Sequence, residues 1–172
     1  REEAIRLVLD EGAFGSYSRW CRQWERGGLL AVDAYKDLPE VKELVKGALI
    51  EALKYEYPDG SFSKLRDQLG RAGLINPDAV NKWKEVTDFA HARAVEALPN
   101  ELLTGSYRRV RDHMVLQSGI STRTAFNGDP RVTRYAEDDV VAAVHRVNPQ
   151  KAYSEHRKRW VDLNVGSNDH YN

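Results

Sequence analysis

Arg19, Arg22 and Arg26 recur every three or four residues, the spacing that lines side chains along one face of a helix. Three later stretches of similar spelling carry Lys64 and Arg66, then Arg108, Arg109 and Arg111, then Arg157 and Lys158. A row of guanidinium and ammonium groups suits the phosphates of a polyanion, where release of condensed counterions supplies the affinity. Windows 15–28, 60–73, 105–119 and 151–162 together hold 13 Lys or Arg against 5 Asp or Glu, out of 26 of each in the chain. The rest of the sequence is correspondingly acidic, so the zero net charge of the whole hides a segregation that could select an anionic partner.

Other chemistries find little in the residues. His91, His113, His145, His156 and His170 form no i, i+4 pair and have no cysteine cluster nearby, so no metal site is expected. Cys21 stands between Trp20 and Trp24 without a local histidine to activate it. Glu137-Asp138-Asp139 reads as negative charge in the first turn of a helix. Tyr57-Pro58-Asp59-Gly60 lacks the alternating oxygen ligands of a calcium loop. There is no glycine loop of the phosphate-cradling or dinucleotide type. No catalytic residue and no cofactor is therefore expected, and the balance is against an enzyme.

The elements that must position the bases are set by a recurring motif. Gly15-Ser16-Tyr17, Gly60-Ser61-Phe62 and Gly105-Ser106-Tyr107 begin 45 residues apart, and a degenerate copy, Lys151-Ala152-Tyr153, follows after 46. Each aromatic is followed three residues later by Trp20, Leu65, Val110 or His156, and seven later by Trp24, Leu69, Met114 or Trp160. That spacing predicts a short amphipathic helix at each copy, with the aromatics in the core and the bases outward. Gly27-Gly28, Gly73 and Gly119 supply left-handed stops for the first three.

A period in this range indicates a tandem array. The expected fold is all-α, with 15–59, 60–104 and 105–150 as helical repeats and 151–172 as a truncated fourth with a frayed tail. Residues 1–14 read as the last helix of a preceding repeat, so the sequence is expected to be a piece of a longer array or to open on a partial one. Within the first repeat, Pro39 starts a helix whose stripe is Val41, Leu44, Val45, Ala48, Leu49, Ala52 and Leu53. Asn76-Pro77 opens the corresponding long helix of the second repeat. In the third, Asn127-Gly128 between β-prone runs suggests a short β-hairpin over 122–135, with an ordered loop as the alternative. A helix follows with Val140, Val141, Val144 and Val147 facing the core, stopped by Asn148-Pro149.

Phe14-Gly15-Ser16-Tyr17 leading to Gly28-Leu29, with its later copies, resembles the repeats that accompany homing endonucleases, where a Phe-Gly-Ser-aromatic motif precedes a short helix ending in Ala-Gly-Leu. The resemblance covers about 15 residues per copy and implies small helical DNA-binding modules. No nuclease motif accompanies it, so it carries over no catalytic residue.

Function follows as an expectation. Duplex DNA is the first partner, ahead of RNA, with the basic helix faces on phosphates and Arg123, Arg131 and Arg134 of the ribbon entering a groove. The alternatives are a scaffold that binds an acidic protein segment, or a non-catalytic targeting segment of a larger enzyme. No apolar run of membrane-spanning length occurs, so a membrane partner is not expected. A single cysteine and a nucleic-acid ligand point to the cytoplasm, nucleoid or nucleus.

Overall fold

A computed structural model describes residues 1–172 apart from Leu30, Val32, Asp33 and Val147 and the side chain of Ala13, so the core role expected of Val147 lies outside the described residues. Every regular element among the described residues is helical. The chain divides into two compact units, Arg1–Val86 and Thr87–Asn172.

In the first unit, α1 (Glu2–Val8) leads through α2 (Glu11–Phe14) to α3 (Ser16–Arg26), followed by α4 (Pro39–Leu53), α5 (Ser61–Arg71) and α6 (Pro77–Asn81). α4 packs on α5 and α1, α1 on α3, and α2 on α5. The stripe of α4 reaches the core as Val41, Val45, Leu49 and Leu53, one i, i+4 row. The helix expected to run unbroken from Pro77 stops at Asn81, and α7 (Lys84–Glu96) restarts beyond Lys82 and Trp83. The unit boundary falls inside α7.

The second unit continues with a 3₁₀ turn at Leu98–Asn100, α8 (Glu101–Thr104), α9 (Ser106–Leu116), α10 (Arg123–Asn127), α11 (Pro130–Ala143) and α12 (Pro149–Asp162). α11 packs along α12, and Trp160 of α12 is fully buried beneath the rings of Tyr107 and Tyr135.

Four expectations change here. Residues 122–135 form α10 and the start of α11, not a hairpin. A two-residue Asn-Gly turn needs positive φ at both residues, and Gly128 has φ −83. Instead Thr122 Oγ1 accepts from Ala125 N at 3.1 Å and Asp129 Oδ1 from Arg131 N at 2.9 Å, each capping a helix. Asn148-Pro149 does not stop a helix but opens α12, with Asn148 Oδ1 accepting from Lys151 N, so Lys151-Ala152-Tyr153 lies inside that helix. The tail is held down rather than frayed: Tyr171 is buried, its hydroxyl donating to Val165 O, while Tyr153 donates to Tyr171 O. Val141 and Val144 are exposed, and only Val140 of that group is buried among the described residues.

The first three motif copies share one backbone device. Gly15, Gly60 and Gly105 have φ of 61, 68 and 66 and stand at the N-cap of the helix after, Gly15 and Gly105 also closing the helix before. At Gly60 an added Cβ would meet nothing closer than Lys64 Cε at 3.9 Å, so the cost of a side chain is conformational. Gly60→Ala is therefore expected to destabilise by about 1–2 kcal/mol, the penalty of a left-handed alanine. A lower urea midpoint with an unchanged slope checks this.

The four αL stops also agree in geometry. Gly28, Gly73, Gly119 and Asn164 have positive φ. The amide of the next residue then reaches back to the carbonyl of Trp24, Leu69, Met114 or Trp160 at 2.8–3.0 Å.

Candidate nucleic-acid interface

A glycine has no side chain with which to cap a helix, and in this chain the cap comes from upstream. Glu11, Glu56 and Glu101 lie four residues before the three motif glycines and are 2%, 0% and 0% exposed. Glu11 Oε2 accepts from Ser18 N at 2.9 Å, Glu56 Oε2 from Ser63 N at 2.9 Å and Glu101 Oε2 from Arg108 N at 3.0 Å. The other oxygen of Glu11 and Glu56 takes the hydroxyl of Ser18 or Ser63. In the third copy Arg108 replaces that serine, so Glu101 Oε1 has no hydrogen bond and sits 3.6 Å from Arg159 Nε. Each carboxylate thus meets the positive end of a motif helix, which offsets the desolvation of a buried charge. The charge segregation did not reveal these residues. Their recurrence at 11, 56 and 101, the motif's own period, is the signal that could have.

The basic residues divide into three groups. Arg66 and Arg111, expected to face outward, are 8% and 5% exposed. Arg66 Nη1 donates to Asn81 Oδ1 at 2.8 Å, its Nε and Nη2 donate to Asp67, and its guanidinium lies over Phe62. Arg111 repeats this with Asn127 at 2.9 Å, Asp112 and Tyr107, and adds a bond to Leu163 O. Arg157 is half-buried over Tyr153 and donates to Asn172 at 2.9 Å. These three arginines cross-brace the fold, Arg66 and Arg111 from buried positions.

A second group is exposed but engaged. Lys64 donates to Asp59 O and Arg109 to Thr104 O, each holding a carbonyl five residues upstream. Lys158 pairs with Asp162, and Arg123 with Asp112 at 3.1 Å. Arg131 grips Asp129 through Nε and Nη2, at 3.1 and 2.7 Å. With the hairpin absent, Arg123, Arg131 and Arg134 lie on α10 and α11 and form no ribbon edge for a groove.

Asp129 illustrates how tightly such pairs are drawn. Arg131's side chain, then its backbone amide and His91, hold the buried Asp129 carboxyl at about 2, against an ordinary value of 3.8. A carboxyl depressed in the folded state stabilises above its unfolded value, and that stability is lost as pH falls through the folded one. Between pH of about 4 and about 2 the second unit should lose roughly 2 kcal/mol through this group. Urea unfolding at the two ends of that window should show a smaller acid loss in Asp129→Asn than in the parent chain.

The third group is Arg19, Arg22 and Arg26 on α3, with Arg108 and Arg134 elsewhere. All are exposed, and none is ion-paired among the described residues. The α3 trio and Gln23 line one shallow depression of about 420 Å³. Behind it Tyr17 and Cys21 are buried, and burial pushes the Cys21 thiol up, which leaves it a poor nucleophile. Trp24, expected in the core, is 42% exposed and stacks obliquely on Trp20, which in turn touches Tyr35. Of the bases expected to contact a ligand, α3 alone gathers three with no ion pair among the described residues, although Glu25 lies on the same helix.

Among the described residues no helix is long and apolar enough to cross a membrane, and no cluster of His, Cys, Asp or Glu could hold a metal ion. No protein-family model, curated protein or solved structure matches the chain.

Proposed function

We propose that the protein binds nucleic acid, duplex DNA before RNA, through the arginine face of α3, and that it is built as a tandem array of helical repeats of about 45 residues. The observation that carries the reading is the row Arg19, Arg22, Arg26: three exposed guanidinium groups with no acidic partner among the described residues. An arginine row kept only for solubility would ordinarily be interleaved with acids on the same face, as Lys158 is with Asp162. Support for the array comes from the shared glutamate cap, the αL glycine and the C-terminal stop. A nucleic-acid ligand places its action inside the cell.

The test is fluorescence anisotropy with a labelled random-sequence duplex and a single strand of equal length, at two salt concentrations. Duplex binding that weakens steeply with salt is expected. Absence of binding at low salt would overturn the reading in favour of an acidic protein segment as the ligand of the same face.

A further inference from the structure

The position three residues after each motif aromatic is Trp20, Leu65 and Val110 in the first three copies, and His156 in the fourth. Packing does not require an imidazole where apolar side chains serve in the other copies, so the exception calls for a reason of its own. Its surroundings supply one. His156 Nδ1 lies 2.9 Å from Asp139 Oδ2, and the same oxygen accepts from Trp160 Nε1 at 2.8 Å. Trp160 is fully buried, so the carboxylate is anchored to the core and holds the imidazole at Nδ1. Nε2 is left without a partner among the described residues.

Asp139 and His156 line an open, groove-like cavity of about 680 Å³ within the second unit, large enough for a small organic molecule. Arg146 and Lys151 stand at its margin, both exposed. Lys151 is 3.8 Å from Glu155, and Arg146 has no ion pair among the described residues. Leu102, Leu103 and the ring of Tyr135 add apolar surface to the lining, which also includes the carboxylates of Asp139, held by His156 and Trp160, and Glu155, beside Lys151. Leu103 is 86% exposed, a large apolar side chain left in water at the rim. Cationic donors and an uncovered leucine in one lining describe an amphipathic occupant.

We infer that this cavity binds a small organic anion, a phosphate monoester or carboxylate on an aromatic or branched aliphatic body. The anionic group would lie against Arg146, Lys151 and His156, and the apolar body against Leu102, Leu103 and Tyr135. The assignment is independent of the α3 face, which belongs to the other unit.

Phenyl phosphate and inorganic phosphate are the probes, titrated into the full chain while the imidazole Cε1–H resonance of His156 is followed by NMR and assigned by loss in His156→Gln. Saturable movement of that resonance by phenyl phosphate is expected at sub-millimolar to millimolar concentration, with inorganic phosphate about tenfold weaker. Arg146→Gln should weaken phenyl phosphate about tenfold. Leu103→Ala should weaken it about threefold while leaving inorganic phosphate unchanged. Both variants alter exposed side chains, and should His156→Gln fail to fold, the His156 resonance is assigned from triple-resonance spectra of the parent chain. No movement up to about 10 mM phenyl phosphate would overturn the proposal. Equal response to the two probes, indifferent to both variants, would reduce the effect to general screening and overturn it as well.

Discussion

Glu56→Ala is expected to destabilise the first unit by about 3 kcal/mol, beyond what loss of an ordinary surface cap costs. Glu56 is fully buried, with Oε2 on the amide of Ser63 and Oε1 on its hydroxyl. Truncation leaves both donors facing the space the carboxylate occupied. An unmade hydrogen bond to a buried charged acceptor costs about 1.5–3 kcal/mol, and part of that returns because the carboxylate no longer has to be desolvated. Glu56→Gln keeps an oxygen acceptor and should cost roughly half as much. Ser63→Ala removes only one of the two bonds and should cost about 1 kcal/mol, the ordinary value of one hydrogen bond. Urea unfolding followed by far-ultraviolet circular dichroism orders the three variants. If Glu56→Ala proved no worse than Ser63→Ala, the carboxylate would not be the cap of α5. The third copy shows that the device tolerates variation: Arg108 supplies only its amide, and Arg159 stands near the oxygen that serine takes elsewhere.

These glutamates explain where sequence reading stopped. The glycine stops were legible because a helix that ends before Gly-Leu or Gly-Ile closes through a left-handed residue, and Gly28, Gly73 and Gly119 do adopt left-handed φ. The row Val41, Val45, Leu49, Leu53 was legible as periodicity at 3.6 residues with no rival period. Glu11, Glu56 and Glu101 were not, because a charge in a charged sequence reads as surface unless its spacing is compared between copies. Arg66 and Arg111 were misjudged for a related reason. At about 100° per residue, a side chain four after the aromatic lies only some 40° from it, on the buried face. Residue type suggested solvent there, and geometry decided for the core, with Asn81 and Asn127 taking up the guanidinium. The same arithmetic puts Arg19, Arg22 and Arg26 about 200°, 140° and 180° from Tyr17, centred on the face opposite the core. Asn127-Gly128 misled because the pair was weighed without its neighbours: Thr122 and Asp129-Pro130 are both helix starts. His156 was visible as an exception in the spacing, but its partner Asp139 is 17 residues away on another helix, and only the fold joins them.

Replacing Arg19, Arg22 and Arg26 together by Ala should reduce duplex binding at moderate salt by about two orders of magnitude, and should make the slope of log affinity against log salt shallower by about 2.7. The second figure is the sharper one. Each phosphate neutralised contributes about 0.9 to that slope through counterion release, so removing three arginine–phosphate pairs at once has a fixed signature whatever the intrinsic affinity. A variant that is merely less stable binds with fewer active molecules, which lowers amplitude without changing the slope. The choice of residues matters for the same reason. Removing Arg66 or Arg111 would break buried bonds to Asn81 or Asn127, so weakened binding there could not be told from partial unfolding. The α3 trio is exposed and unpaired among the described residues, and alanine is the best helix former, so the variant should fold as well as the parent. Lys158→Ala is the matched control: it removes an exposed base already neutralised by Asp162 and should leave the slope within error of the parent. Should the triple variant keep the parental slope, α3 does not touch the phosphates. Should it lose about one unit of slope instead of nearly three, a single arginine meets the phosphate, and testing Arg19, Arg22 and Arg26 one at a time would identify it.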